Sequence, residues 1–287
     1  MQIKGFEKFR EKVPLLSGNK IFLLPLYWFT CLGLSILLMR GFDVLPAKLE
    51  YSGMGHIALS LMPLIGELLV SIIGLFLVYQ MWAQRKKLKA RYGPLSYQRI
   101  FFVGFAGISC IMSLSVNQFM RSLSLPVSSP LGFLTVTPEM YWGSFGIVIL
   151  WIRLFLALFF TVLAIVMVIR SLQTFGFDYM AVIYLYFPEE SKLQNHEIYS
   201  VLRHPAYTSF ILLGLGGTFA TATLYSLLFF TVIVATFYIH VHFVEEKELI
   251  ERFGSSYQEY IKKVPAFFIK PDKVKVFLKF LIGKAEG

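Results

Sequence analysis

A succession of apolar runs separated by short basic loops constrains this chain more than any other feature. An α-helix rises about 1.5 Å per residue, so roughly 20 apolar residues cross a hydrocarbon core about 30 Å thick. Residues 21–39, 57–83, 100–120 and 141–169 are four such runs. The apolar stretch 211–241 is broken near its middle by Thr221-Ala222-Thr223, which divides it into two helices that enter a bilayer and return. With 56% hydrophobic and 15% charged residues over 287 positions, the chain has more apolar surface than a water-soluble domain can hide. The predicted fold is all-α, a polytopic integral membrane protein of about six transmembrane helices with a C-terminal helical hairpin and a cytosolic cofactor pocket.

The basic residues orient this layout. Of the 27 Lys and Arg, 23 fall in residues 1–20, 84–99, 170–205 and 244–287, whereas Arg40, Lys48 and Arg121 fall on the other side and Arg153 lies inside the fourth run. Cytoplasmic loops of membrane proteins carry the excess of Lys and Arg, so both termini are expected in the cytoplasm, at a bacterial inner membrane or the endoplasmic reticulum. A net charge of +10 distributed in this way reads as attraction to anionic lipids, not as a nucleic-acid surface. The first run is too long for a signal-peptide core and is expected to be a retained span. Cys31 and Cys110 both fall inside apolar runs, which excludes a disulfide framework and a local thiolate metal cluster. No internal repeat of the kind used by inverted-repeat transporters is present.

Chemistry-capable residues gather in two polar clusters at the ends of the C-terminal hairpin. In the first, Tyr199, Arg203, His204 and Tyr207 lie within nine residues, and Pro205 predicts a chain break at His204 followed by the first turn of a helix. In the second, Glu245-Glu246 is expected to end the returning helix, where carboxylates oppose the helix dipole and call for a cationic partner. A hairpin brings both clusters to one membrane face. The pair suits a ligand that carries both a carboxylate and cationic groups. Taken singly, Arg203-His204 also reads as interfacial anchors, and Glu245-Glu246 as a solvated helix end.

In combination, RHPxY at Arg203–Tyr207, then EExxL from Glu245, FGxxYxxY from Phe253 and the dipeptide Val264-Pro265 resemble the membrane methyltransferases that include isoprenylcysteine carboxyl methyltransferase and the phospholipid methyltransferases. The resemblance covers roughly residues 170–268. It implies an enzyme that transfers a methyl group from S-adenosylmethionine to a lipidic or other hydrophobic acceptor reached from the bilayer. It further implies that Tyr199, His204, Pro205, Ala206 and Tyr207 shape the cofactor pocket, that Leu193 and Gln194 contribute from the preceding loop, and that Glu245 and Glu246 close it. Arg203 then either holds the cofactor's carboxylate or orients an acidic acceptor, and Arg203 and Glu246 are the expected catalytic pair.

Many relatives carry glycine where this chain has Glu197 and Ser209, and the prenylcysteine enzymes carry arginine where it has Val241. This weakens a prenylcysteine carboxylate as acceptor. His240 and His242 flank that position and are expected to be structural. The alternatives are a membrane reductase of the sterol type using NADPH and a noncatalytic lipid-binding relative.

The expected division is 1–169 for the N-terminal spans and 170–287 for the methyltransferase-like region. Glu67 and Arg153, both inside apolar runs, are expected to pair with each other, or else to line an acceptor path. Gly254 is expected to end one helix, Tyr257 and Tyr260 to pack, and Pro265 to stop the next, while residues 274–282 read as an amphipathic helix lying on the membrane surface.

Overall fold

The computed structural model describes residues 6–49, 56–121, 123, 125, 131–176, 186–187, 191, 193 and 195–283. Gln194 and much of the turn-rich loop before residue 138 lie outside the described residues. No strand occurs among those that are described. In chain order the helices are α1 (Phe6–Lys12), α2 (Leu23–Leu49), α3 (His56–Ser60), α4 (Met62–Ala83), α5 (Arg85–Tyr92), α6 (Ser96–Met120), α7 (Gly146–Phe175), α8 (Pro205–Thr221), α9 (Leu224–His240), α10 (Glu246–Phe253), α11 (Ser255–Lys263) and α12 (Val274–Leu281).

Five helical stretches are long and apolar enough to cross a membrane, namely Gly18–Leu45, Met62–Ala83, Arg85–Met120, Gly143–Thr174 and Leu224–Phe253. At 17 residues, α8 is a shorter sixth apolar helix, antiparallel to α9 in the hairpin. Phe29, Leu37, Ile72, Phe76, Trp151, Phe155 and Leu158 remain largely exposed along these helices, as expected of side chains that face lipid. The chain is an all-α polytopic membrane protein.

Several helix limits differ from the expectation, and two of them bear on the charges within the spans. Helix α2 continues past residue 39 because its charges find partners within the bundle. Arg40 lies 3.6 Å from Asp43, and Asp43 accepts from Arg121 Nε at 3.1 Å. Helix α7 begins at Gly146 and not at 141, after short 3-10 turns over Pro138–Tyr141 and Gly143–Phe145.

The expected Glu67–Arg153 pair does not form. Glu67, fully buried, accepts from Arg121 Nη1 at 2.9 Å, while Arg153 pairs with Glu139 and donates to the carbonyls of Ala220 and Thr221 at 3.3 and 3.0 Å. Neither group sits at the centre of its helix. Glu67 is in the second turn of α4 and Arg153 near the start of α7, so each meets a partner at its own helix end. A charge left unpaired in hydrocarbon costs several kcal/mol, and these partners remove that cost.

The hairpin is held by two kinds of packing. Helix α8 lies against α6 and α7, and a side chain at Gly216 would meet Thr161 Oγ1 at 2.7 Å and the Ala157 carbonyl at 3.1 Å, so only glycine permits that approach. At its tip Ala222 adopts a left-handed conformation, φ 49° and ψ 43°, and its N–H donates to the Thr218 carbonyl at 2.7 Å. Thr223 and Ser226 then form a reciprocal capping box that starts α9.

Beyond the hairpin, Gly254 (φ 57°) separates α10 from α11, as expected. Tyr257 and Tyr260 are buried with Leu249 and Val264. In the tail helix α12, Phe277 and Phe280 pack against Met167, Tyr199 and Leu202, leaving Lys275 and Lys279 exposed.

Candidate active site

The two polar clusters meet. Pro205 occupies the first position of α8, where its missing N–H is not needed, and His204 precedes it with extended φ −125°. The backbone just before α8 is fixed from below α11, since Arg203 N–H donates to the Pro265 carbonyl at 3.0 Å and His204 N–H to that of Ala266 at 3.2 Å.

Glu245 and Glu246 do not end the returning helix as expected. Helix α9 passes through a π turn, Val241–Glu245, and continues as α10 to Phe253. The carboxylates are therefore mid-helix, and neighbouring side chains balance them. His204 Nδ1 lies 3.5 Å from Glu245 Oε1, and His204 Nε2 lies 3.3 Å from Glu246 Oε1. Burial opposes a charge on His204, but hydrogen bonds to and attraction by Glu245 and Glu246 outweigh it, and its pKa is raised above the ordinary histidine value.

Arg203 is committed to the protein. Its Nε and Nη2 donate to Glu246 Oε1 at 3.0 and 2.5 Å, and its Nη1 donates to the carbonyls of Ile261 and Val264 at 3.1 and 2.6 Å. Four of the five guanidinium N–H groups are thus used in binding α10 to the end of α11. In this arrangement Arg203 fixes Glu246 and keeps one guanidinium N–H outside these bonds.

Tyr207 and His240 complete the cluster. The Tyr207 hydroxyl lies 3.3 Å from His240 Nε2, and His240 Nε2 is 3.8 Å from Glu245 Oε2. The His204 ring is nearly parallel to that of Tyr207 at 5.9 Å, and Trp82 stands edge-on to His240 at 5.5 Å. Glu245 is 8% exposed, and its Oε2 is buried without a hydrogen-bond partner.

The remaining expected residues sit at the margins. The Tyr199 ring is buried with Met167, Leu202 and Phe277, and its carbonyl accepts from the Tyr260 hydroxyl at 2.5 Å. Leu193 packs on the cluster of Leu249, Tyr257 and Tyr260. The Ala206 carbonyl accepts from Ser209 Oγ at 2.6 Å.

His240 joins the site although the sequence pointed only to a structural role. Five residues on an α-helix span about 140° around the axis, which separates His240 from Glu245. The π turn between them brings both to one side, and no side-chain pattern announces a π turn in advance.

The phospholipid methyltransferase family profile matches residues 152–256, a segment holding α8, α9, α10 and both clusters. Residues 152–256 are phospholipid methyltransferase-like. The chain is also similar to proteins named for isoprenylcysteine. It is 32% identical to a probable protein-S-isoprenylcysteine O-methyltransferase of Oryza sativa subsp. indica over 99 residues, 34% of this chain and 52% of that protein. Protein-S-isoprenylcysteine O-methyltransferase of Schizosaccharomyces pombe is 36% identical over 69 residues, 24% of this chain and 29% of that protein. An Arabidopsis thaliana protein-S-isoprenylcysteine O-methyltransferase B is 32% identical over 78 residues, 27% of this chain and 40% of that protein. The chain thus spans about half the length of the rice relative it matches. No solved structure matches it.

Two departures of the methyltransferase-like segment acquire a physical meaning. Glu197, where the resemblance leads one to expect glycine, has φ 50°, so the backbone keeps the conformation glycine favours, and the Glu197 carboxylate accepts from Thr174 Oγ1 at 2.5 Å. Val241, where the resemblance leads one to expect arginine, is buried at the start of the π turn.

Proposed function

We propose that the chain is an S-adenosylmethionine-dependent methyltransferase acting on a lipidic or other hydrophobic acceptor at the cytosolic face of the membrane. Both termini are then cytoplasmic, in a bacterial inner membrane or the endoplasmic reticulum, with residues 170–287 as the catalytic region and 1–169 as the membrane scaffold. The observation that carries this reading is the buried Glu245 carboxylate, one oxygen beside His204 and the other without a hydrogen-bond partner, at the junction of the two clusters. His204 and His240 offset much of the cost of burying this carboxylate, and its second oxygen still has a lone pair for a cationic group of a ligand.

The chemistry of the junction fits that cofactor. When bound, S-adenosylmethionine supplies an electrophilic methyl group on a sulfonium and carries an ammonium that suits Glu245. Tyr207 offers a ring face, which attracts cations. Glu246, held by Arg203 and His204, adds negative charge to the same wall. Displacement at a methyl group needs little acid–base assistance, so alignment and exclusion of water are what these residues have to provide. Pro205 and Ala206 keep the first turn of α8 small and fixed beside them. The adjoining lipid-facing surfaces of α7 and α9 suit a hydrophobic acceptor.

Calorimetry of the purified full-length chain with S-adenosylmethionine and, separately, with NADPH tests the proposal. Binding of S-adenosylmethionine alone is expected. Binding of NADPH alone identifies a reductase, and binding of neither identifies a noncatalytic lipid-binding relative.

A further inference from the structure

The opposite end of the hairpin holds a second polar cavity that methyl transfer does not use. Helix α8 separates the two sites by about 25 Å along its axis. The cavity has a volume of about 310 Å³, and its lining includes Arg121, Thr135, Thr223 and Ser226 beside the rings of Phe119 and Phe229. A volume near 300 Å³ is at the lower end of the range of small-molecule sites.

The hydrogen-bonding inventory defines what fits. Arg121, its side chain 3% exposed, gives Nε to Asp43 and Nη1 to Glu67 and lies 3.5 Å over the Phe229 ring, while Nη2 is buried with no hydrogen-bond partner. Three of the hydroxyls around it have already given their hydrogens. Thr135 donates to the Gly132 carbonyl, Thr221 to Gly217 and Ser226 to Thr223. They retain only acceptor lone pairs. An occupant must therefore bring an oxygen acceptor for Arg121 and O–H or N–H donors for the hydroxyl oxygens, attached to an apolar body for the two rings.

Charge narrows the choice further. Asp43 and Glu67 already balance Arg121 and its neighbour Arg40, which disfavours a free multivalent anion. The geometry points to a binding site for the headgroup of a membrane glycerophospholipid, a singly charged phosphodiester with hydroxyl donors, at the face opposite the Arg203–Glu245 junction. Such a lipid staples α6 to the hairpin tip. This site stands whether or not the other end transfers methyl groups.

Native mass spectrometry of the full-length protein in detergent, titrated with phosphatidylglycerol, tests the site. Wild type is expected to retain one phosphatidylglycerol. Ala220→Leu, which places a larger side chain on the cavity wall, is expected to bind it at least about tenfold more weakly with unchanged circular dichroism. Phosphatidylcholine, which lacks headgroup donors, is expected to bind wild type more weakly than phosphatidylglycerol. Thr135→Val, which removes one of these acceptor hydroxyls from the same wall, is expected to weaken phosphatidylglycerol binding severalfold and serves if Ala220→Leu does not fold. Equal retention by wild type and the variants, or saturable binding of glycerol 3-phosphate in place of the lipid, overturns the proposal.

Discussion

His204 Nε2 stands 3.3 Å from Glu246 Oε1, linking the residue that precedes α8 to the first residue of α10 across 42 positions of hairpin. The same ring presents Nδ1 to Glu245, so one imidazole bridges two adjacent carboxylates. This side chain, with Arg203 on Glu246 and Tyr207 beside His240, ties the two ends of the hairpin together.

Stability should fall with rising pH through this histidine. Its pKa is raised in the folded protein, because the carboxylate partners outweigh burial, so its contribution is fully present below the unfolded value of about 6.5 and is lost as pH climbs through the folded value. Thermal unfolding of wild type and His204→Gln is expected to differ more at about pH 6 than at about pH 8.5. A gap that widens with pH would contradict the assignment.

Arg203→Lys is expected to damage folding more than a ligand-binding role would. Lysine cannot give the forked donation to Glu246 together with the carbonyls of Ile261 and Val264. The loss expected is about 2–4 kcal/mol, set by a buried charged pair with one partner weakened. The unfolding midpoint measures it, and an unchanged midpoint with lost ligand affinity would return Arg203 to the pocket.

Glu67→Leu should destabilise the protein by about 3–5 kcal/mol, because it leaves Arg121 short of a buried partner. Adding Arg121→Leu should recover part of that loss. Thermal midpoints of the two single variants and the double variant give the coupling, and simple additivity would contradict the pair.

Ala222→Gly at the hairpin tip should stabilise by up to about 1 kcal/mol, since Ala222 holds a left-handed conformation that costs a residue with a Cβ about that much. Thermal unfolding reads the change.

Much of this architecture is legible in the sequence because the bilayer imposes it. Apolar runs set the helices, Thr221-Ala222-Thr223 marks the hairpin tip, and polar clusters at both ends of one hairpin can meet only on one face. The ion pairs within the spans are less legible. Glu67 and Arg153 each lie inside an apolar run, yet the depth of a residue depends on where its helix starts, and α7 starts at Gly146. The π turn escapes reading as well. It adds one residue to a turn without a sequence mark, bringing His240 into the cluster, while the helix runs on past Glu245 and Glu246 to Phe253.

The affinity of Glu245→Gln for S-adenosylmethionine, measured by calorimetry on the full-length protein, tests the central claim most directly. Glutamine keeps the shape and removes the charge, so a carboxylate that meets a cationic ligand group should lose about 1.5–3 kcal/mol, or roughly 10- to 150-fold in Kd, on a protein that still folds although the weakened His204 contact lowers its unfolding midpoint. Wild-type affinity in the Glu245→Gln variant would contradict the account.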